Sequence, residues 1–366
     1  MDYSILQHYW WFLLSLLGGL LVFLLFVQGG QSLIYTLGRK EDDLRQLIGS
    51  LGRKWELTFT TLVTFGAAFF ASFPLFYTIS FSGAYWVWML ILFSFVIQAV
   101  SYEFISKQGN FLGKGTYKTF LFLNGLLGPI LLGTAVSTLF FGAQFQYDPI
   151  NLTDTVNPTF SHWEGAFFGI EAIWLTPFNV ILGAAIFFLS RTLGALYIIN
   201  NLQSDNIRRS ARRQVLSNAV FFLVAFLTYL VNLLFLHPVW KFDNGIINTA
   251  AGTYFDNLLA APWTLATLLV GVLGVLYGIY KGALTKSLNG IWYAGIGTVL
   301  TVLSLLFIAG VDGTVYYRSL STPSSSLTIF NSSSSHFTLT AMSIVSLFIP
   351  FVLAYIWYVW RKMDRK

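Results

Sequence analysis

Repeated stretches of about 20 consecutive apolar residues constrain the fold of this chain more than any other feature. An α-helix needs about 20 such residues to cross the ~30 Å hydrocarbon core of a bilayer. Nine stretches qualify, near residues 9–36, 55–76, 84–105, 118–142, 176–199, 215–236, 259–280, 290–311 and 339–360. The sequence therefore predicts an all-α polytopic membrane protein, with nine transmembrane helices in a single integral membrane domain over residues 1–366.

The composition supports a membrane protein and excludes several other classes. Hydrophobic residues make up 56% of the chain and charged residues only 10%, whereas a soluble domain carries roughly 25% charged residues. The net charge of +6 comes from basic residues scattered between apolar spans. This pattern indicates contact with anionic lipid rather than with nucleic acid. The chain has no cysteine, so disulfides, iron–sulfur ligation and thiolate nucleophiles are excluded.

The distribution of basic residues predicts the orientation in the membrane. If the N-terminus lies outside, 18 of the 21 Lys and Arg residues fall on the cytoplasmic side. Such an excess is typical of cytoplasmic loops, so the C-terminus is predicted to be cytoplasmic. Arg191 lies within a span and is predicted to extend towards cytoplasmic water. The first apolar run has neither a basic region before it nor a cleavage site after it, and is predicted to be retained.

The segments outside the spans are predicted from proline and polar residues. Pro177 interrupts the apolar pattern around the fifth span, because proline cannot continue a helix. We therefore expect residues 162–174 to lie laterally at the membrane interface and the crossing helix to follow Pro177. The outer loops over residues 146–164 and 321–335 are predicted to be solvated.

Two carboxylates lie at the feet of the second and third spans, which form a helical hairpin. Glu56 follows Trp55, and Glu103 precedes Lys107 by four residues. Acids at the edge of apolar spans are costly and are candidates for function. We expect Glu56 and Glu103 to take up protons from the cytoplasm, with burial favouring their protonated form and Trp55 ordering the site. The structural alternatives are a favourable helix dipole for Glu56 and an ion pair of Glu103 with Lys107.

The first span contains the segment Gln28-Gly29-Gly30-Gln31. Its two amides lie about one helical turn apart and can hold water, but they cannot release protons. The glycines allow another helix to approach closely. This segment is therefore predicted to be either a helix-packing contact or a polar site, and the sequence does not decide between them.

The histidines indicate that this chain binds no haem. All four, His8, His162, His237 and His336, fall at an outer edge or in an outer loop of the predicted topology. Haem ligation in a membrane bundle needs a ligand within a span and commonly a second one on a facing helix. No phosphate-binding loop, Ser-His-Asp arrangement or metal-ligand spacing occurs in the sequence.

Several short motifs follow one another in an order and spacing that resemble subunit II of the cytochrome bd quinol oxidases. They are Asp2-Tyr3 with Tyr9-Trp10-Trp11, the pair Trp55-Glu56, Val100-Ser-Tyr-Glu103, Ser335-His-Phe-Thr338, and Trp360-Arg-Lys362 near the end. The resemblance covers nearly the whole chain. It implies two four-helix bundles plus one peripheral helix, packed against a homologous subunit I in the bacterial inner membrane.

The resemblance also implies an activity and a set of partners. This chain would be a haem-free subunit of a quinol:O2 oxidoreductase, in which subunit I holds haem b, haem d and the quinol site. Quinol oxidation would be coupled to the reduction of O2 to water, with protons drawn from the cytoplasm. Subunit II of this family can hold a structural quinone, and small accessory subunits can join the complex alongside membrane lipid.

The chain departs from the family pattern in three segments. The family typically has Asp-Gly-x-Asp where this chain has Gln28 to Gln31, and Arg-Pro where it has Gln98-Ala99. After the Trp-acid pair the family usually has Gly-Asn-Gln-x-Trp, whereas this chain has Leu57-Thr-Phe-Thr-Thr61, so a tryptophan-lined oxygen path does not transfer. Only Trp55, Glu56 and Glu103 therefore transfer as site residues. Two other hypotheses stay open, namely a secondary transporter whose carboxylates bind a coupling ion, and a purely scaffolding subunit. Continuous spans and acids near one surface argue against the transporter.

Overall fold

The computed structural model describes residues 2–107, 109–147, 161–243 and 246–364. Its helices are α1 (Tyr3–Leu24), α2 (Phe26–Ser32), α3 (Ile34–Leu37), α4 (Glu41–Gly52), α5 (Trp55–Ser72), α6 (Pro74–Tyr77), α7 (Tyr85–Phe104), α8 (Gly113–Phe141), α9 (Ala172–Leu175), α10 (Pro177–Asn201), α11 (Asp205–Val231), α12 (Tyr254–Ala260), α13 (Pro262–Leu284), α14 (Gly290–Ile308), α15 (Ile329–Ser332), α16 (His336–Ser346) and α17 (Ile349–Asp364). Two π-helical segments, Thr78–Gly83 and Asn232–Leu236, follow α6 and α11.

Short strands occur only in the loops of the described regions. They form three antiparallel pairs, which are β1 (Phe145–Tyr147) with β2 (Ser161–Trp163), β3 (Lys241–Asp243) with β4 (Ile246–Asn248), and β5 (Val315–Tyr317) with β6 (Leu327–Thr328). The membrane part of the described chain is therefore entirely helical, as predicted.

Seven helical segments of the described chain are long and apolar enough to cross a membrane. They are Tyr3–Ser32, Tyr85–Phe104, Gly113–Phe141, Pro177–Asn201, Asp205–Leu236, Pro262–Leu284 and Gly290–Ile308. The pair α16 and α17, bent by 42°, adds an eighth if it forms one span. Helix α5 coincides with the predicted second span, but Glu56 and several threonines make it less apolar. The class of fold is confirmed, whereas the count of nine stays a prediction.

Local signals in the sequence set where the central helix α10 begins. Its first residue is Pro177, and the hydroxyl of Thr176 accepts a hydrogen bond from the backbone N–H of Phe178. Proline at the first helical position and threonine before it are both favourable at a helix start. The crossing helix therefore starts at the proline, as the sequence predicts.

Helix α10 lies at the centre of the structure. It packs against α8, α11 and α2, while α1 packs against α5 and α14, and α13 packs against α14. Helix α7 lies on the outer side of α8. Through α10, the helices of the N-terminal half contact those of the C-terminal half.

The contact between α2 and α10 is unusually close because glycines face it. A Cβ atom built on Gly29 would lie 1.7 Å from the carbonyl oxygen of Ser190, and one on Gly194 would lie 2.3 Å from the amide nitrogen of Gly30. Real side chains cannot occupy such positions. The helix-packing function of the Gly29-Gly30 segment, expected from the sequence, is present in the structure.

The segment over residues 162–174 is mostly strand and turn, and only Ala172–Leu175 is helical. The buried carboxylate of Glu171 organises it by accepting hydrogen bonds from the indole of Trp163 (2.7 Å) and the backbone N–H groups of Phe167 (3.2 Å) and Gly169 (2.9 Å). Phe167 and Trp174 remain exposed. These hydrogen bonds to Glu171 hold the segment in a compact local fold. The apolar composition of the segment does not predict this fold.

The prediction of a solvated serine-rich loop is wrong for much of residues 325–332. Ser325, Ser326 and Ser332 are buried. The hydroxyl of Ser332 pairs with that of Tyr316 at 2.8 Å, and Ser325 donates to the carbonyl of Tyr147 at 2.8 Å. Hydrogen bonding to the neighbouring loops compensates the burial of these hydroxyls. Residues 148–160 of the other predicted loop lie outside the described residues.

A buried arginine joins loops that are predicted to lie on the outer side of the membrane. The guanidinium of Arg318, only 2% exposed, donates to Nε2 of His237 at 2.6 Å and to the carbonyl of Pro238 at 2.6 Å. It also lies 5.3 Å from the ring centroid of Trp240. Nε2 of His237 also lies 3.2 Å from the carbonyl oxygen of Phe140. Because arginine can only donate, this nitrogen accepts in its shorter contact, the one with Arg318, and the imidazole is neutral. Burial and the charge of Arg318 together lower the pKa of His237 to about 4.

We expect Gly29→Ala to lower the stability of the protein by about 1–3 kcal/mol or more, because the added methyl group meets backbone atoms that cannot move aside. Thermal unfolding of the purified protein, followed by tryptophan fluorescence, measures the loss. Gly49→Ala is the matched control, because a Cβ at Gly49 has nothing within 4 Å. Equal stability of the two variants would contradict the close crossing.

We expect acid to destabilise the outer loops through His237. Its pKa is about 4 in the folded protein, against 6.5 for an unperturbed histidine, so the unfolded chain binds a proton first as the pH falls. The stability contributed by neutral His237 is present above pH 6.5 and falls by up to about 3 kcal/mol as the pH approaches 4. His237→Gln keeps an acceptor for Arg318 without a titrating ring, so the difference in Tm between pH 7 and pH 4.5 should shrink. An unchanged difference would contradict this assignment.

Candidate functional site

Glu56 and Glu103, which are predicted to take up protons, and Trp55, which is predicted to order the site, lie at the foot of the hairpin. Trp55 begins α5 and Glu56 lies in its first turn, while Glu103 is near the end of α7. The ring of Trp55 stacks on that of Tyr102, with centroids 6.1 Å apart and planes at 15°. This contact fixes the two helix ends side by side, as the hairpin prediction requires.

Both carboxylates are on the surface of this chain. The side chain of Glu103 is 65% exposed, and its Oε1 lies 3.1 Å from Nζ of Lys107. Glu56 is also exposed. This chain therefore does not bury Glu56 or Glu103 as predicted. Glu103 forms the ion pair with Lys107 that was the structural alternative for it. An exposed pair of this kind contributes little to stability.

A buried group of polar side chains lies directly behind this foot, between α2, α7 and α8. We call Gln28, Gln31, Ser94, Gln98 and Asn124 the amide cluster. Gln28 donates to Oδ1 of Asn124 at 3.3 Å, and Asn124 donates to the hydroxyl of Ser94 at 3.4 Å. The three glutamines and Asn124 are fully buried. Polar groups of this kind inside a membrane bundle mark a candidate functional site.

Tyr102 connects the amide cluster to the predicted site. Its hydroxyl accepts a hydrogen bond from Nε2 of Gln31 at 3.0 Å, while its ring stacks on Trp55. The sequence signalled Gln28 and Gln31, but it gave no sign that Gln98 and Asn124 face them from other helices.

Lys54 is a second residue whose position the sequence did not reveal. Counted among the cytoplasmic basic residues, it is in fact fully buried. Its Nζ donates to the carbonyl of Trp360 at 3.3 Å and lies 4.4 Å from the centroid of that indole. Trp360 also contacts Phe26 and Trp292. The end of α17 is thereby attached to the foot of the hairpin.

Arg191 is partly buried and connects three helices. Its Nε donates to Oδ1 of Asn218 on α11 at 2.7 Å, and its Nη1 lies 3.4 Å from the carbonyl oxygen of Ser32 on α2. The guanidinium of Arg191 therefore contacts two neighbouring helices, α2 and α11.

An apolar cavity of about 400 Å³ lies between the helices. Aliphatic and aromatic side chains from both halves of the chain line it, among them Leu21, Phe65, Leu182, Phe226 and Leu305. Such a space suits a flexible hydrocarbon chain, because it offers dispersion contacts but almost no polar partner.

The histidines lie in loops or near helix ends. His8 lies near the start of α1 beside Phe330, His162 lies in β2, His237 contacts Arg318, and His336 begins α16. Within the described ranges, no group of three or more His, Cys, Asp and Glu side chains could hold a metal ion.

Fold and site together define a polytopic helical membrane protein, whose described part has an apolar interior, a buried amide cluster and histidines in loops or near helix ends. The model of the family described as cytochrome bd terminal oxidase subunit II matches residues 6–363. This chain belongs to that family.

Curated relatives match over almost their full length. The chain is 27% identical to cytochrome bd-I ubiquinol oxidase subunit 2 of Escherichia coli K12, covering 100% of this chain and 96% of the relative. It is 26% identical to a probable cytochrome oxidase subunit 2 of Haemophilus influenzae (99% and 95% covered) and 25% identical to cytochrome bd ubiquinol oxidase subunit 2 of Bacillus subtilis (89% and 87% covered).

The fold is similar to a chain in the solved structure of bd oxidase from Geobacillus thermodenitrificans. The TM-score is 0.58 at 12% sequence identity, and 98% of each chain is covered. This likeness concerns the fold alone, and it extends over the whole chain.

Proposed function

We propose that this chain is the haem-free subunit II of a cytochrome bd-type oxidase that couples quinol oxidation to the reduction of O2 to water. The family match over residues 6–363 carries the proposal. The relatives from Escherichia coli and Bacillus subtilis are ubiquinol oxidase subunits, which supports quinol as the electron donor. Haem b and haem d would be held by a homologous subunit I, since the histidines of this chain lie in outer loops or at helix ends.

The topology of the proposal has nine spans, with the N-terminus outside and the C-terminus in the cytoplasm. It counts α5 as the second span and the bent pair α16 and α17 as the ninth. The excess of basic residues on one side supports this orientation. The spans would form two four-helix bundles and one peripheral helix in the bacterial inner membrane, where small accessory subunits and lipid can join.

The apolar cavity is a candidate site for the structural quinone. Its volume of about 400 Å³ and its carbon lining suit an isoprenoid tail. The cavity lies between helices of both halves, so a bound tail would contact both.

Glu56 and Glu103 are proposed to collect protons at the cytoplasmic surface, with Trp55 ordering the site. Their exposure suits collection from water, and the stack of Trp55 on Tyr102 holds the two helix ends together. The hydrogen bond from Gln31 to Tyr102 provides a polar connection from this surface to the interior.

Purification through a tag on this chain tests the assignment to the oxidase. We expect a second large polypeptide in the preparation and a reduced-minus-oxidised spectrum with b-type and d-type haem bands, because the haems belong to the partner. A folded preparation with neither partner nor haem would contradict the proposal and favour the transporter hypothesis.

The proton-uptake assignment is tested by Glu56→Gln in the purified complex. We expect quinol oxidase turnover to fall several-fold at unchanged haem content, because the amide cannot accept a proton. Glu41→Gln is the matched control, since Glu41 is another exposed acid on the predicted cytoplasmic side, 3.4 Å from Lys114. Wild-type turnover in both Glu56→Gln and Glu103→Gln would instead favour a scaffolding subunit.

A further inference from the structure

Four arginines lie in the first three turns of α11. They are Arg208, Arg209, Arg212 and Arg213, and Asp205 is the one acid in the same turns. The helix itself disfavours this arrangement, because a helix N-terminus carries partial positive charge and like charges four residues apart repel each other. Basic residues are common on the cytoplasmic side of membrane proteins, but that bias does not explain why they form pairs on one helix.

Two of the four arginines have partners within the chain. Arg212 donates to the carbonyl of Gly282 at 2.9 Å and to that of Thr285, so it attaches the end of α13 to the start of α11. Arg208 lies 4.0 Å from the carboxylate of Asp205, whose side chain is fully exposed. These contacts account for Arg212 as a packing residue and for Arg208 in part.

The other two arginines, Arg209 and Arg213, are exposed. Neither side chain has an ion pair or a hydrogen bond within the described residues of the chain. They are four residues apart, so their guanidinium groups can reach one point on the same face of α11. An anion bound between them would offset their repulsion.

A stripe of apolar side chains continues along α11 from these two arginines. Its members follow at intervals of three or four residues, so they lie on the same face. They are Leu216, Val220, Val224, Leu227 and Val231, each between 41% and 63% exposed. We call these five residues the apolar stripe.

The length of the helical segment places the arginines at the depth of the lipid headgroups. The segment runs to Leu236, and 20 residues from Leu216 span about 30 Å, the thickness of the hydrocarbon core. Arg213 precedes Leu216 by about 4.5 Å and Arg209 by about 10 Å along the axis. The headgroup region extends roughly 5–8 Å beyond the core on each side, which these long side chains can reach.

A phospholipid with a negative headgroup matches both parts of this surface. Guanidinium groups bind phosphate oxygens through paired, charge-assisted hydrogen bonds, and acyl chains can lie against the aliphatic stripe. A soluble anion would use only the arginines. Another transmembrane helix is a poorer match, because helix contacts in membranes favour Gly, Ala, Ser and Thr, and the apolar stripe has none of them.

We propose that Arg209, Arg213 and the apolar stripe bind an anionic phospholipid from the leaflet at which α11 begins. Its phosphate lies between the two guanidinium groups, and an acyl chain lies along Leu216, Val220 and Val224. The site goes beyond the proposed function, since no haem, quinol or proton takes part in it.

Arg209→Gln combined with Arg213→Gln tests the proposal in the full-length chain, purified with the subunits that accompany it. After native lipid has been removed with detergent, phosphatidylglycerol is titrated and its binding is followed by native mass spectrometry. We expect the double variant to bind about 30-fold more weakly than the wild type, because two basic residues are lost. Phosphatidylglycerol should raise the Tm of the wild type but not that of the double variant.

Arg39→Gln combined with Arg45→Gln is the matched control. Both arginines are exposed and predicted to be cytoplasmic, and their loss removes the same charge. They flank the acidic residues 41–43, which disfavour an anion there. We expect this variant to bind phosphatidylglycerol as the wild type does. Phosphatidylcholine with the same acyl chains should bind the wild type more weakly, since its headgroup has no net charge.

Three results would overturn the proposal. The first is equal affinity for phosphatidylglycerol in the wild type and in both double variants. The second is an equal rise in Tm with inorganic phosphate, which would make the site one for soluble anions. The third is the loss of an accompanying subunit from the preparation of the Arg209 and Arg213 variant, which would make the face a protein interface. A preparation without haem would reject the proposed function and leave the lipid measurement valid.

Discussion

The close crossing of α2 and α10 fixes the rest of the structure. Gly29 and Gly194 bring the two backbones together, so neither helix can rotate or slide without a steric clash. Because α10 also packs against α8 and α11, the crossing connects the helices that precede and follow it in the chain. The glycines occupy one side of α2, which leaves Gln28 and Gln31 on the side that faces α7 and α8. One segment of the first span therefore provides both the packing contact and the polar site.

The membrane class and most helix positions could be predicted because they depend on local chemistry. A run of apolar side chains must be helical in lipid, and Pro177 marks the start of α10 whatever surrounds it. The predictions failed where a distant partner decides the structure. Ser325 and Ser332 are buried because neighbouring loops accept and donate their hydrogen bonds. Helix α4, which was not predicted, carries only two buried leucines, Leu47 and Leu51, too few for a clear pattern.

Part of the candidate site was also predictable, because it too depends on residues that are close in the sequence. The pairing of Trp55 with α7 follows from the hairpin, and Glu103 forms the ion pair that its spacing to Lys107 predicts. The depth of a side chain, in contrast, depends on tertiary packing. Lys54 is buried in contact with Trp360, which lies more than 300 residues later in the chain, while the neighbouring Glu56 remains exposed. Charge and position in the sequence therefore predicted the site's location but not which of its charges would be buried.

Two of the departures from the family pattern, at Gln28 to Gln31 and at Gln98, become one change in the structure. The chain has glutamine at two positions where the family typically has Asp and at one where it typically has Arg, and these residues are Gln28, Gln31 and Gln98. All three lie in the same buried cluster. Losing only the acids would leave a buried cation without a partner, at a cost of several kcal/mol. Replacing all three by amides keeps the interior neutral without an ion pair. The cluster nevertheless stays polar, and Oε1 of Gln28, Oε1 of Gln31 and both amide atoms of Gln98 have no hydrogen-bond partner in the described chain.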